Sequence, residues 1–373
     1  MVRGFNVAIL ENIATTSSGG TPSRGNIDFY KGDIPWITTG ELRDDYIFDS
    51  KEHITQEALD NSSAKVFPAG TVLMAMYGAT IGRLGILQLD AATNQACCAF
   101  FPNPNKLNAR YLYNWLFYHR NELIEMGTGA GQPNISQNII KKLEIDLPEI
   151  EEQNNIVEVL SDIDKLISTQ EALIDKKQAM KQGAMQVLLT GKQRVNGFTG
   201  KWVAKKLKDI APLQRGFDLP VSSIVDGKFP VVFSNGINAW HNRFMVKGPG
   251  VVMGRSGTIG KISYVDEDYW PHNTSLWVTD FCGNYPKYVY YLFQTLTWDM
   301  YMSGSGVPTL NRNDVHECEL IIPADLDEQV VIARILEDMD NEVTIQQINL
   351  EKIKRIKSGM MDNLLTGRIR LID

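Results

Sequence analysis

LPEIEEQNNIVEVLSDID runs from Leu147 to Asp164, and IPADLDEQVVIARILEDMD runs from Ile322 to Asp340. The first leads to GAMQVLLTG, closing at Gly191, and the second to GMMDNLLTG, closing at Gly367. Under one constant offset Glu152/Glu328, Gln153/Gln329, Leu160/Leu336, Asp162/Asp338 and Asp164/Asp340 coincide. Gln170/Gln346, Lys176/Lys352, Lys181/Lys357, Gly183/Gly359, Met185/Met361 and both LLTG tetrads follow suit. A repeat of this kind sets the architecture before any local propensity is weighed.

Both copies read as long helices. Each opens after a proline, Pro148 or Pro323, with acidic residues that suit a helix N-terminus. Each closes at a glycine followed by basic residues. The seam of the first copy is Ile156, Leu160, Ile163, Ile167, Gln170, Ile174, Lys177, Lys181, Ala184 and Leu188. In the second it is Ile332, Leu336, Met339, Val343, Gln346, Leu350, Ile353, Lys357, Met360 and Leu364. Steps of four and three give a mean period of about 3.5, the spacing of a coiled coil. Gln170 and Gln346 interrupt both seams at one place, where a polar residue costs stability but fixes register. At about 1.5 Å per residue, roughly 40 helical residues span about 60 Å. Globular helices average about 11–12 residues, which argues against two ordinary core helices.

Outward from the helices the repeat continues more loosely. FPAGTVLMAMYGATIGR (67–83) resembles GPGVVMGRSGTIGK (248–261), and NQACCAF (94–100) stands where HNTSLWV (272–278) stands. ARYLYNWLFYHRN (109–121) matches PKYVYYLFQTLTW (286–298), and both read as aromatic amphipathic helices. GTGAGQPNIS (127–136) matches GSGVPTLN (304–311), and LENIA (10–14) matches LKDIA (207–211). Short β-rich runs such as GTVLMAMY and GVVMGR put mixed α/β structure in each globular part. The expected plan is globular (1–147), helix (148–191), globular (192–322), helix (323–373).

At 373 residues, two or more domains are expected. No run of 18 apolar residues is present, so no membrane span is expected. MVRGFNVAIL lacks the apolar stretch and cleavage site of a signal peptide, which points to the cytoplasm. Cys97, Cys98, Cys282 and Cys318 fall in no metal-ligand spacing and read as buried, reduced thiols. The net charge of −7 argues against a simple nucleic-acid-binding surface, because phosphate neutralisation requires Lys and Arg. By segment the charge is −3 over 1–147, −2 over 148–199, +1 over 200–322 and −3 over 323–373. Any DNA-binding patch is therefore local, or shared with a partner.

A duplicated α/β unit followed each time by a long helix resembles the specificity subunit of Type I restriction–modification systems. The matching residues are LPEIEEQNNIV and IPADLDEQVVI, the exits LLTGK and LLTGR, SGGTP at 18–22 and SGTIGK at 256–261. The resemblance covers nearly the whole chain. It implies a mixed α/β (α+β) fold. Two globular target-recognition domains would be separated by two long antiparallel coiled-coil helices, as a pseudo-two-fold internal repeat. Each domain would read one half of a bipartite double-stranded DNA target. The helices would set the gap and dock two methyltransferase subunits, through which restriction subunits join the DNA methylation complex. The chain itself would be non-catalytic and carry no cofactor or metal; S-adenosylmethionine, ATP and magnesium would belong to partner subunits. The opening MVRGFNVAILENIA departs from the second copy in lacking the Trp that precedes LKDIA, Trp202. LQRGF (213–217) stands where the first unit has SGGTP.

Major-groove readout favours Arg, Lys, Asn, Gln, Ser and Thr on loops that reach base edges, beside glycines that permit close approach. In the first unit the best cluster is Tyr77, Thr80 and Arg83, with Asn94 and Gln95 nearby; Thr38, Thr39 and Arg24 come second. In the second unit the candidates are Arg255, Ser256, Thr258 and Lys261 among glycines, then His272, Asn273 and Thr274. Ser234, Asn235 and Arg215 complete the set. The alternative is that these glycine-rich loops are tight turns that shape the fold.

Catalytic motifs are missing. FPNPN (101–105) lacks the second adjacent proline and the aromatic residue of an adenine methyltransferase site. TGKQR (190–194) lacks the upstream glycine and the Ser or Thr of a phosphate loop. Two other readings compete: a coiled-coil adaptor with two ligand-binding heads and no nucleic-acid role, and a DNA-modifying enzyme with an unrecognised site.

Overall fold

The computed structural model describes residues 5–127, 134–303 and 308–371. The chain forms two compact units, one from Met1–Thr169 with Leu350–Asp373, the other from Gln170–Asn349.

In the first unit an antiparallel pair, Asn6–Ile9 with Glu144–Leu147, joins the start of the globular part to its end. The main sheet is ordered Ala14–Ser18, Cys97–Pro102, Val72–Ala75, Leu84–Leu87, Asp45–Ile47. Its central strand, VLMA, is buried at every position because both faces are covered. Val72 and Met74 face one core with Cys98 and Phe100, while Leu73 and Ala75 face another with Ile37 and Phe67, the period of two that a strand imposes. Over the first face lies the helix Ala109–Tyr118, capped by Asn108, whose Oδ1 accepts the Arg110 N–H at 2.8 Å. A smaller sheet holds Ile34–Ile37 parallel to Ala91–Thr93.

The second unit repeats the plan. Its main sheet is ordered Leu213–Arg215, Ser275–Val278, Gly250–Gly254, Ile262–Val265. Phe229–Phe233 runs parallel to Trp270–Pro271, as Ile34–Ile37 does to Ala91–Thr93. The pair Trp202–Lys206 with Glu319–Pro323 joins its start to its end. Cys97 and Cys98 are buried, and burial pushes the Cys98 thiol up to about 12. Cys282 is exposed and Cys318 half-buried, so the expectation of buried thiols fails for those two.

The long helices span Ile150–Leu188, 39 residues, and Leu326–Leu365, 40 residues. Ile156 and Leu160, buried at the start of the first, share the first unit's core with Met361, Leu364 and Leu365 from the end of the second. Ile332 and Leu336 likewise share the second unit's core with Met185, Leu188 and Leu189. Fully burying side chains of this size contributes about 1.5–3 kcal/mol each. Between these ends Ile163, Ile174 and Val343 are buried, whereas Ile167, Gln170, Met339, Gln346, Leu350 and Ile353 are half-buried. Within the second unit Gln170 Nε2 donates to Gln346 Oε1 at 2.8 Å and to the Gln346 carbonyl at 3.1 Å. The helices run antiparallel: Lys177 meets Glu342 and Lys181 meets Asp340 in the second unit, and Asp164 meets Lys357 in the first.

The repeated Glu-Gln pair has a structural explanation. Gln153 is buried; it accepts the Asn108 N–H at 2.8 Å and donates to the carbonyls of Lys106 and Pro148. Gln329 does the same with the Tyr285 N–H and with Asn284 Oδ1 and the Pro323 carbonyl. Glu152 is paired with Arg370 at 2.6 Å, and Glu328 with Arg194 at 2.7 Å. Both carboxylates are fully buried. Each arginine stands three residues after an LLTG glycine, so each unit takes its glutamate from the start of one helix and its arginine from beyond the end of the other. Burial alone would raise the Glu152 carboxyl, but Arg370 and the Leu371 N–H outweigh it and hold it below the usual range.

Gly191 and Gly367 both end their helices at φ 69, a conformation that glycine adopts without strain. Trp202 lies against Gly191 and Phe5 against Gly367, each near enough that a Cβ would meet the ring. The matching arginines, Arg194 and Arg370, lie over the same two rings. Phe5 therefore takes the place of the tryptophan that the opening of the chain lacks.

Candidate nucleic-acid interface

In each unit the loop after the central strand is held between two other segments. Met76 N–H donates to the Ala96 carbonyl at 2.8 Å, and its carbonyl accepts from Ile135 N–H at 2.7 Å. Arg255 N–H donates to the Thr274 carbonyl and its carbonyl accepts from Leu310 N–H, both at 2.9 Å. Tyr77 bridges Asn134 as Ser256 bridges Thr309. Arg255 is therefore the counterpart of Met76, and Ser256 of Tyr77. Matching TIGR to TIGK by sequence would shift this by one residue; Ala79 is the insertion. Of the glycine-rich segments 127–136 and 304–311, residues 128–133 and 304–307 lie outside the described residues.

In the first unit several candidates are engaged internally. Arg24 makes two 2.7 Å hydrogen bonds to Glu52, with its guanidinium 4.2 Å from the Tyr30 ring centre. Thr38 donates through its N–H and Oγ1 to Glu41 Oε2, at 2.8 and 2.9 Å, and half-buried Thr39 opens the short turn that Glu41 closes. Asn94 Oδ1 accepts the Ala96 N–H at 3.1 Å, and Tyr77 packs against the core. Thr80 is half-buried, and its carbonyl accepts the Arg83 N–H at 2.9 Å. Gln95, joined to Thr21 Oγ1, and Arg83 are exposed.

The second unit gathers more charge. Arg215, Arg255 and Arg312 line one cleft of about 620 Å³ with Gln214, Thr309 and Asn313. Arg215 donates to Asp218 at 2.8 Å, and Asn273 donates to the same carboxylate oxygen. The Asn273 amide, and after it the Arg215 guanidinium, keep the Asp218 carboxyl below the usual range. Among the described residues no side-chain hydrogen bond or ion pair engages Arg255 or Arg312. Behind Arg255 the chain is close-packed: a Cβ on Gly254 would lie 1.9 Å from the Thr258 carbonyl oxygen.

His272 and Thr274 work inside the fold. Thr274 N–H donates to His272 Nδ1 at 3.3 Å, so Nε2 carries the proton and donates to the Leu219 carbonyl at 3.2 Å. Burial lowers the His272 imidazole further than that carbonyl and Asp218 raise it, and the ring lies tilted against Phe233 with centroids 4.3 Å apart. Thr274 Oγ1 also accepts the Ser234 N–H at 3.2 Å. Lys261 Nζ reaches the Asn235 carbonyl at 2.5 Å, and the Asn235 side chain accepts from Asn238. Ser256 is half-buried and Thr258 exposed.

A family model described as the Type I restriction modification DNA specificity domain matches residues 3–176 and 199–355. The chain belongs to that family. It is a Type I specificity subunit by family, and its role is DNA target recognition. It is 23% identical over 417 residues to the Type I restriction enzyme MjaIX specificity subunit of Methanocaldococcus jannaschii, covering 99% of this chain and 94% of that one. It is 28% identical over 166 residues to the EcoR124I/EcoR124II specificity subunit of Escherichia coli, covering 43% and 41%. The fold is similar to the Type I S subunit of M. genitalium, with TM-score 0.62, 15% identity and 96% of each chain covered. It is also similar to a chain from work on assembly and conformational transition of the type I R-M system, with TM-score 0.64, 14% identity and 98% of each covered.

For a specificity subunit, Arg312, Asn313 and Gln214 are the cleft residues that sequence reading passed over. Arg312 and Asn313 follow GSGVPTLN directly, and the unmatched arginine in NRND was the available signal. Gln214 neighbours Arg215 in a strand and points to no chemistry by itself. Among the described residues no helix is long and apolar enough to cross a membrane.

Proposed function

We propose that each unit reads one half of a split double-stranded DNA target and that the long helices set the gap between the halves. The observation that carries this is duplication down to single hydrogen bonds, seen in the buried glutamates with their arginines and in the equivalent loops around Met76 and Arg255. Two similar heads joined by helices of fixed length suit two half-sites at fixed spacing, as dimer geometry does in symmetric DNA binders. The candidate readers are exposed Arg83 and Gln95 in the first unit and, in the second, exposed Arg215 at its strand end, half-buried Arg255 and exposed Thr258. Outward polar faces of the helices dock two methyltransferase subunits, through which restriction subunits join. The chain performs no chemistry itself; S-adenosylmethionine, ATP and magnesium serve the partner subunits, in the cytoplasm.

Co-expression with the methyltransferase subunit, sizing of the complex and methylome sequencing of the host test this reading. The expected result is a complex of two methyltransferase subunits per chain that methylates a split motif with one gap length. No complex and no split motif would favour the adaptor with two ligand-binding heads.

A further inference from the structure

The two units place different chemistry at one structural position. Strand register makes Ser18 the counterpart of Arg215, through Cys98 and Leu276, and Ser17 the counterpart of Gln214. The loop hydrogen bonds make Met76 the counterpart of Arg255. Counting on from Ile135 and Leu310 makes Gln137 the counterpart of Arg312. Three arginines therefore stand in the second unit where the first has two neutral polar residues and a buried methionine.

Their setting separates two uses of arginine. A phosphate contact asks only for a positive charge at the surface. Here Arg255 is held through both backbone groups, and Arg215 is oriented by Asp218, itself held by Asn273. Asp218 is the one carboxylate among the cleft's lining residues, so the cleft is cationic. The Arg215 guanidinium, oriented by Asp218, and that of Arg255, free among the described residues and carried on a fixed backbone, are forks that match the O6 and N7 acceptors of guanine, a pairing that lysine makes less selectively.

We propose that the second unit's cleft reads guanine in its half-site through Arg255 and the buttressed Arg215, with Arg312 at its rim, and that the matching positions of the first unit, Ser18, Met76 and Gln137, read no base through arginine. This rests on the DNA-recognition reading above and adds which half carries arginine-read guanine. The two halves of the target are then bound by unlike chemistry.

The test uses the assembled complex with the methyltransferase subunit, carrying Arg255→Lys, Arg255→Ala or, as the first-unit control, Ser18→Ala. Methylome sequencing reads the motif, and DNA binding is measured across a salt series. Arg255→Lys keeps the charge and loses the fork. It is expected to retain the salt slope while discrimination of G·C at one position, in one half only, falls on the order of 10–100-fold. Arg255→Ala is expected to relax the same position, and Ser18→Ala to leave it intact. If Arg255→Ala lowers the salt slope by about one and both variants keep the motif, the contact is to the backbone and the proposal is wrong. An unchanged motif with unchanged affinity would overturn it equally. A wild-type complex with no split motif would instead overturn the DNA-recognition reading beneath it.

Discussion

Glu152 and Glu328 are carboxylates that folding has withdrawn from water, and each is tolerated there because an arginine from beyond the other helix reaches it. Removing one partner of a buried ion pair strands the other. Arg370→Ala is expected to destabilise the first unit by about 3 kcal/mol, read by urea unfolding, with Glu152→Gln in the same chain recovering part of the loss. The pH dependence follows from the direction of the Glu152 shift. Its folded-state carboxyl is held below an unfolded value of about 4.3, so the stabilisation is complete above that and lost as pH falls through the lower folded value. The gap between wild type and Arg370→Ala should therefore narrow below about pH 4. A gap of constant size at lower pH would show that packing against Phe5, not charge, carries the effect.

At the scale of elements the long helices do two jobs along one seam. Their ends belong to the cores of the units, and only the stretch around Gln170 and Gln346 resembles a free coiled coil. These are equivalent residues that meet each other, which places them where the two antiparallel helices are in matched register. Replacing both with leucine should stabilise the second unit by about 1 kcal/mol in denaturant titration and loosen the gap preference of the complex. Removing about one heptad from each helix near this point shortens each by about 10 Å. With base pairs about 3.4 Å apart, the methylated motif should lose about three base pairs of gap. A motif with its gap unchanged would sink the ruler reading.

At the scale of the molecule the first unit is built from both ends of the chain. Met361, Leu364 and Leu365 fill its core, and Arg370 neutralises its buried glutamate. Truncation after Asn349 should therefore unfold the amino-terminal globular part and spare the second unit. Hydrogen exchange should show protection lost over the strands Val72–Ala75 and Cys97–Pro102 and retained over Gly250–Gly254. Equal loss in both would mean that the two units fold as one.

The duplicated helices, their caps and their seam were legible because they depend on local periodicity and on residues at fixed spacing, which a linear chain displays directly. The mixed α/β character of the heads was legible for the same reason, in short runs such as VLMA and GVVMG. Tertiary structure alone decided which candidates stay free. Arg24 and His272 carry recognition-type side chains, yet Glu52 and the Leu219 carbonyl occupy them, and those partners are distant in sequence. It alone made Met76 the counterpart of Arg255, because hydrogen bonds from Ile135 and Leu310 choose the register over the more obvious TIG match. It alone joined Arg215, Arg255 and Arg312, which lie on three separate segments, in one cleft. Such long-range pairings follow from how strands and loops close in space, and sequence spacing carries no record of that closure.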